Sequence, residues 1–160
     1  MSIATTVNPS SSPSSSPSSS PSLTIKRRFK APPEKVYAAW IDPEKMSRWL
    51  GPPDVIKVNT TTDVTVGGRY TIQMIVPNDE HNVSGVYREI VLNRKLVFTW
   101  AFRSTPERES LVTVTFAPDV DGTLMTLHHE QFFDEAARDN HEKGWTVIVA
   151  RLDALFASDN

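Results

Sequence analysis

Seven segments of the chain alternate apolar and polar residues, and short polar or glycine-containing turns separate most of them. Such alternation is typical of half-buried β-strands, and close spacing of the strands is typical of an antiparallel meander. The predicted strands are residues 23–30, 55–66, 69–76, 83–91, 95–103, 110–116 and 123–130.

Apolar residues at helical spacing predict three helices in the remaining segments. Two short helices follow the first strand, and Asp42 before Pro43 is a favourable start for the second of them. The third helix is the longest, from about residue 134 to residue 157, and Asp134 can cap it. The order β-α-α-β6-α predicts an α+β fold with a sheet of about seven strands. The apolar face of the long helix consists of Ala137, His141, Trp145, Ile148, Leu152 and Leu155.

A strongly twisted antiparallel sheet of this size tends to curl, and one long helix covers only part of its concave side. The space between them is either a ligand cavity or a core filled by large side chains, and the composition alone favours the filled core. Strand alternation assigns one set of side chains to the concave face: Tyr70, Ile72, Met74, Tyr87, Glu89, Phe98, Trp100, Val112, Val114, Phe116, Met125, Leu127 and His129.

Aromatic and methionine side chains beside a few polar groups suit an apolar ligand with one polar end. On this basis we predict a ligand site on the concave face and the long helix. Its residues are Tyr70, Met74, Tyr87, Glu89, Phe98, Trp100, Met125, Leu127, His129, Trp145 and Ile148.

The amino-acid composition excludes cysteine chemistry and divides the chain into two segments. The chain has 160 residues, a formal net charge of −2 and no cysteine, which excludes disulfides and thiolate metal sites. Residues 1–22 differ from the rest because residues 9–22 contain only serine and proline. We therefore expect a disordered tail over residues 1–22 and one folded domain over residues 23–157.

Several motifs together resemble the START-like SRPBCC superfamily, which includes the birch-pollen-allergen-like proteins. The closest resemblance is to the branch named for homology to the activator of the heat-shock-protein-90 ATPase. It implies a helix-grip fold with a ligand cavity under the last helix, and it implies no single activity. The residues that carry the resemblance are 31–40, 42–52, 66–70, 85–90, 96–100, 126–130 and 144–145.

The histidines are the main candidates for chemistry. Adjacent strand residues face opposite sides, so His128 and His129 cannot share one metal ion, and we expect neither a metal nor a cofactor. His129 either orients the polar group of a ligand or is hydrogen-bonded within the wall. Glu89 shares its predicted face but lies about three strands away, roughly 14 Å, which disfavours direct proton transfer. We expect His141 to be a packing residue, and Trp145 either stacks on a ligand or belongs to the core.

Three functions remain open at this stage. The first is binding of a hydrophobic or aromatic small molecule. The second is a cyclase-like or hydrolase-like enzyme in which His129 acts as acid or base and Tyr70 or Tyr87 polarises a carbonyl. The third is a chaperone ATPase cofactor that acts through its surface.

Localisation and partners follow from what the sequence lacks. We expect a cytoplasmic protein without nucleic-acid partners or membrane insertion, because the net charge is near neutral and no long apolar run is present. A weak homodimer is left open.

Overall fold

The computed structural model describes residues 20–158, which contain one antiparallel sheet packed against helices. The sequence predicts disorder for residues 1–22. Residues 1–19 of this segment lie outside the described range. The strands are β1 (Leu23–Phe29), β2 (Lys57–Thr62), β3 (Arg69–Val76), β4 (Asp79–Val91), β5 (Lys95–Phe102), β6 (Ser110–Asp119) and β7 (Gly122–Glu130). The helices are α1 (Pro33–Ile41), α2 (Pro43–Trp49) and α3 (Glu135–Ser158), with a 3₁₀ turn at Pro106–Arg108.

The seven strands form one sheet in the order β1-β7-β6-β5-β4-β3-β2. All neighbours are antiparallel, and the first strand pairs with the last, so that consecutive strands from β2 to β7 form a meander. The predicted α+β helix-grip architecture is confirmed, with α3 as the long C-terminal helix.

Aspartates begin two of the helices as the sequence predicts. The Asp42 carboxylate accepts a 3.0 Å hydrogen bond from the backbone N–H of Glu44 at the start of α2. Asp134 accepts a 2.8 Å hydrogen bond from the N–H of Ala137 at the start of α3. Each satisfies one backbone donor that a helix start leaves unpaired.

Strand β2 is shorter than predicted because residues 63–68 form a loop. Gly67 adopts φ 89°, and its N–H donates a 2.8 Å hydrogen bond to the carbonyl of Tyr87. A Cβ on Gly68 would lie 2.1 Å from the backbone oxygen of Asp63, so a side chain does not fit there. The valine- and threonine-rich composition of this segment concealed the end of the strand.

The concave face contains the side chains that alternation assigned to it, with one exception. Tyr70, Phe98, Val114 and Leu127, for example, are buried. The prediction that Glu89 faces inward is wrong. The pairing of β4 with β5 shifts by one residue between Tyr87 and Glu89, which is a β-bulge, and the bulge turns the Glu89 side chain outward.

Glu89 is consequently exposed and lies 3.2 Å from the ammonium group of Lys95 on the outer face. This places the carboxylate on the opposite side of the sheet from His129, which is fully buried. A proton-transfer pair between the two is therefore excluded by the direction of the side chains as well as by the strand separation.

Helix α3 buries a face that differs from the predicted stripe. Its buried residues are Trp145, Val149, Leu152 and Phe156, whereas Ile148 and Leu155 are only partly buried. The C-terminal half of α3 packs on β1, where the rings of Phe29 and Phe156 meet edge to face at 5.4 Å. The N-terminal half is left with less cover, which determines where the open space of the fold lies.

Candidate functional site

A cleft of about 790 Å³ opens between the N-terminal half of α3 and the inner face of strands β3 to β5. The loop after α2 and the loop before α3 close two of its sides. Its apolar wall includes Leu50, Pro52, Pro53, Ile72, Met74, Trp100, Phe102, Phe132, Phe133, Trp145 and Ile148.

Small residues on α3 keep this cleft open. Ala136, Ala137 and Gly144 face it, and a Cβ built on Gly144 meets no atom within 4 Å. Glycine in a helix interior costs about 1 kcal/mol relative to alanine, so Gly144 leaves space at the expense of helix stability.

The region below the cleft is filled by aromatic rings. The ring centroids of Tyr70 and Phe98 are 5.4 Å apart, and those of Trp40 and Trp145 are 5.8 Å apart. Only a void of about 20 Å³ remains among them, close to the space that a single water molecule needs. The filled core and the open cleft, which the sequence left as alternatives, therefore occur side by side.

The predicted ligand-binding residues separate into four groups in the structure. Met74, Trp100, Trp145 and Ile148 line the cleft. Tyr70, Tyr87 and Phe98 line the small void, together with Trp100 and Trp145. Met125, Leu127 and His129 are fully buried and line neither, and Glu89 points away.

Sequence reasoning missed the loop residues of the cleft. Pro52 and Pro53 follow α2, and Phe132 and Phe133 follow β7. Alternation and helical spacing select strands and helices only, so a loop contribution leaves no periodic signal. Phe133 is 60% exposed, and an exposed apolar ring marks a candidate site, but its exposure is visible only in the structure.

His129 is held by hydrogen bonds on both ring nitrogens. The indole N–H of Trp145 donates to His129 Nδ1 at 3.0 Å, and His129 Nε2 lies 2.6 Å from the Ser110 hydroxyl. The Ser110 hydroxyl in turn donates to the carbonyl of Trp100 at 3.2 Å. Because an indole can only donate, Nδ1 is the acceptor and the proton of the neutral ring is on Nε2.

This direction of donation determines what the pair of Ser110 and His129 can do. A serine nucleophile needs a histidine nitrogen that accepts its proton, whereas here His129 Nε2 donates to the serine oxygen. Burial, with smaller contributions from His141 and His128, lowers the pKa of His129 to about 2. The imidazole is thus a neutral structural link between β7, β6 and α3.

His141 and Trp100 form a second pair of the same kind at the edge of the cleft. The Trp100 indole donates to His141 Nε2 at 3.3 Å, and His141 Nδ1 donates to the carbonyl of Ala137 at 2.8 Å. Burial lowers the pKa of His141, partly offset by the bond to Ala137. His141 lines the cleft as a neutral ring, packed 5.0 Å from the ring of Phe132.

The guanidinium group of Arg151 binds the loop after α2. Arg151 on α3 reaches the carbonyl oxygens of Leu50, Gly51 and Pro52 at 3.4, 3.0 and 3.4 Å. A second nitrogen of Arg151 lies 3.4 Å from the carbonyl of Arg48. Arg151 thereby positions one wall of the cleft.

The solvent-exposed rim of the cleft contains polar and charged side chains. The guanidinium of Arg108 lies 4.0 Å above the ring of Phe133, which is a cation–π geometry. His81, Asp134 and Lys143 also line this region. The apolar interior is thus bordered by groups that remain in contact with solvent.

Known structures support the fold. A protein from Chromobacterium violaceum superposes with a TM-score of 0.75 at 27% identity, over 84% of this chain and 96% of that chain. The AHSA1 protein of Silicibacter pomeroyi gives 0.75 at 25% identity, over 88% and 100% of the two chains. A protein from Rhizobium loti gives 0.70 at 26% identity, over 84% and 96%. No curated protein matches the chain.

The family follows from the sequence match. Residues 30–157 match the family model described as Activator of Hsp90 ATPase homolog 1-like protein. This range begins after β1 and extends to the penultimate residue of α3, and the resemblance drawn from the motifs is confirmed. The chain therefore belongs to the family of Activator of Hsp90 ATPase homolog 1-like proteins.

Proposed function

We propose that this protein binds an apolar small molecule in the cleft between α3 and strands β3 to β5. The observation that carries the proposal is the cleft itself, which has a volume of about 790 Å³ and a mostly apolar wall. Small-molecule sites are typically about 300–1,000 Å³, with apolar walls and a few polar groups. The fold also commonly binds hydrophobic ligands.

The aromatic floor of the cleft favours a flat or aromatic ligand. Trp100 and Trp145 have ring centroids 5.1 Å apart, and both line the cleft. Their N–H groups are bonded to His141 and His129, so the rings are fixed in position. Preorganised rings lose little conformational entropy when a ligand packs on them.

Blocking the cleft tests the proposal. Leucine at position 144 would extend into open space, so Gly144→Leu should weaken binding of 2-isopropylnaphthalene at least tenfold in equilibrium dialysis. Ala150→Leu is the matched control, because Ala150 is an exposed residue of α3 that does not line the cleft. Equal affinity in the wild type and both variants, or no binding of any apolar compound by the wild type, would contradict the proposal.

The enzyme alternative gains no support from His129. An acid or base must exchange its proton with substrate, whereas His129 is fully buried and its Nε2 already donates to Ser110. Tyr70 is similarly committed, since its hydroxyl donates to the backbone carbonyl of Thr99. We therefore prefer binding without chemistry.

The family description favours one further candidate, activation of a chaperone ATPase. This function would use the outer surface rather than the cleft. The chaperone's ATP hydrolysis rate should then rise when the chain is added, equally for the wild type and Gly144→Leu. No change in that rate would remove this candidate.

A further inference from the structure

The chain contains four tryptophans, and three of their indole N–H groups have acceptors. Trp49 donates to the carbonyl of Ala39 at 2.9 Å, Trp100 donates to His141 and Trp145 donates to His129. Among residues 20–158, Nε1 of Trp40 is the only buried side-chain nitrogen or oxygen without a hydrogen-bond partner. Buried donors are almost always paired, so this exception calls for an acceptor outside the described residues.

Space for such an acceptor lies beside Trp40. The void of about 20 Å³ is lined by Trp40, and a single buried oxygen atom of a water molecule needs about 10–15 Å³ of the same kind of space. Leu50, Ile72, Trp100 and Trp145 line both this void and the cleft. The void and the cleft therefore adjoin, and changes in side-chain rotamers are common on binding.

The chemistry of the acceptor follows from the surroundings. Among the residues that the structure describes, no charged side chain lines the void, so an ionised carboxylate there would lose its hydration without gaining a counter-charge. A neutral oxygen, such as that of a ketone, aldehyde or ester, accepts a hydrogen bond there and loses much less hydration free energy than a carboxylate does. Tyr70 and Tyr87 also line the void. The Tyr70 hydroxyl is bonded to the carbonyl of Thr99, whereas Trp40 Nε1 is a fully buried donor without an acceptor among residues 20–158.

We infer that the ligand carries a neutral carbonyl-type oxygen at the end that reaches the small void, and that this oxygen accepts a hydrogen bond from Trp40 Nε1. The inference rests on the proposed function and narrows the class of ligand. A water molecule is the competing occupant of the void. A resident water would satisfy Trp40 without any preference for a carbonyl ligand.

A matched pair of probes separates these outcomes. 2-Acetylnaphthalene and 2-isopropylnaphthalene have the same number of non-hydrogen atoms and differ in the carbonyl oxygen. We expect Trp40→Phe to bind the ketone about tenfold less tightly than wild-type protein does in equilibrium dialysis, while its affinity for the hydrocarbon stays within about twofold. Trp49→Phe is the control, because it removes an indole N–H that is bonded to the backbone instead.

Different results would refute the carbonyl assignment and the proposed binding function. A Trp40→Phe variant that binds the ketone as tightly as wild-type protein does refutes the carbonyl assignment and leaves the binding function intact. Absence of binding for both probes refutes the function.

A second measurement needs no variant. The ¹⁵N-indole resonance of Trp40 in the wild type should shift further on saturation with the ketone than with the hydrocarbon, because only the ketone accepts its hydrogen bond. A Trp40 resonance that is unmoved by the saturating ketone overturns the assignment.

Discussion

The Trp145 indole and the His129 imidazole are joined by a 3.0 Å hydrogen bond in which His129 Nδ1 is the acceptor. This bond fixes the protonation state of a fully buried histidine and the position of a ring that lines the cleft. The two effects are inseparable, because protonation of Nδ1 would remove the acceptor and displace Trp145. Acidity should therefore affect both stability and binding.

The first prediction concerns the pH dependence of stability. The folded-state pKa of His129 is lowered from 6.5 to about 2, mainly by burial. The unfolded chain therefore binds more protons than the folded chain between these values, and the free energy of unfolding should fall as the pH falls below 6.5. One such group contributes about 1.4 kcal/mol per pH unit.

Urea denaturation between pH 4.5 and 6 measures this slope. His141, whose pKa is also lowered, contributes in the same direction, so the comparison must isolate His129. His129→Leu should be less stable at neutral pH, and its slope should be smaller by about 1.4 kcal/mol per pH unit. A slope unchanged in this variant would show that His129 is not held neutral.

The second prediction concerns Ser110. Its hydroxyl lies 2.6 Å from His129 Nε2, a distance that suggests a nucleophile and its base. Because His129 donates in this bond, we expect no covalent labelling of Ser110 by a fluorophosphonate, under conditions that fully label an active serine hydrolase. Mass spectrometry of the intact protein would detect the adduct, and an adduct on Ser110 would contradict the assigned tautomer.

The third prediction concerns helix stability. Gly144→Ala should raise the free energy of unfolding by about 1 kcal/mol, because alanine is the better helix former and the added Cβ meets no atom within 4 Å. Ala150→Gly, at an exposed position of the same helix, should lower it by a similar amount. Chemical denaturation of both variants provides the measurement. A destabilised Gly144→Ala would mean that this position is tightly packed.

The fourth prediction concerns Arg151. Arg151→Met removes the donor shared by the carbonyls of Leu50, Gly51 and Pro52, so hydrogen exchange of residues 50–55 should become faster. Affinity for apolar probes should fall several-fold, because the loop lines the cleft. Arg151→Lys keeps the charge but loses the planar guanidinium, and we expect an intermediate effect. Unchanged exchange in Arg151→Met would show that the loop is held by other contacts.

The sequence predicts the strands and helices well, because the spacing of apolar residues indicates which side chains are buried. Alternation in β3 and β7 identified Tyr70 and Leu127 as inward-facing, and both are buried. The prediction that Glu89 faces inward is wrong because a bulge adds one residue to β4. Nothing in the local alternation indicates a bulge. The stripe on α3 was shifted for a related reason, since Val149 and Phe156 also fit helical spacing and only packing decides between the faces.

The site is less predictable than the framework. The cleft depends on residues that alternation cannot rank, such as Pro52, Phe132 and Gly144, and on how far α3 stands from the sheet. Alternation indicates that the side chains of Met74 and Met125 both face inward. It does not indicate that Met74 lines the cleft and that Met125 lies in the closed core. A cavity forms where a helix and a sheet do not pack closely along their whole length. The residue type at a single position indicates little about that spacing.

The methionine methyl groups offer the most direct test of ligand binding in the cleft. Met74 lines the cleft, Met46 lines the small void, and Met125 is fully buried and lines neither. In a ¹³C-methyl NMR titration with 2-isopropylnaphthalene, the Met74 resonance should shift in a saturable manner while that of Met125 stays in place. A Met74 resonance that does not move at saturating probe, or that moves no more than that of Met125, would contradict the account.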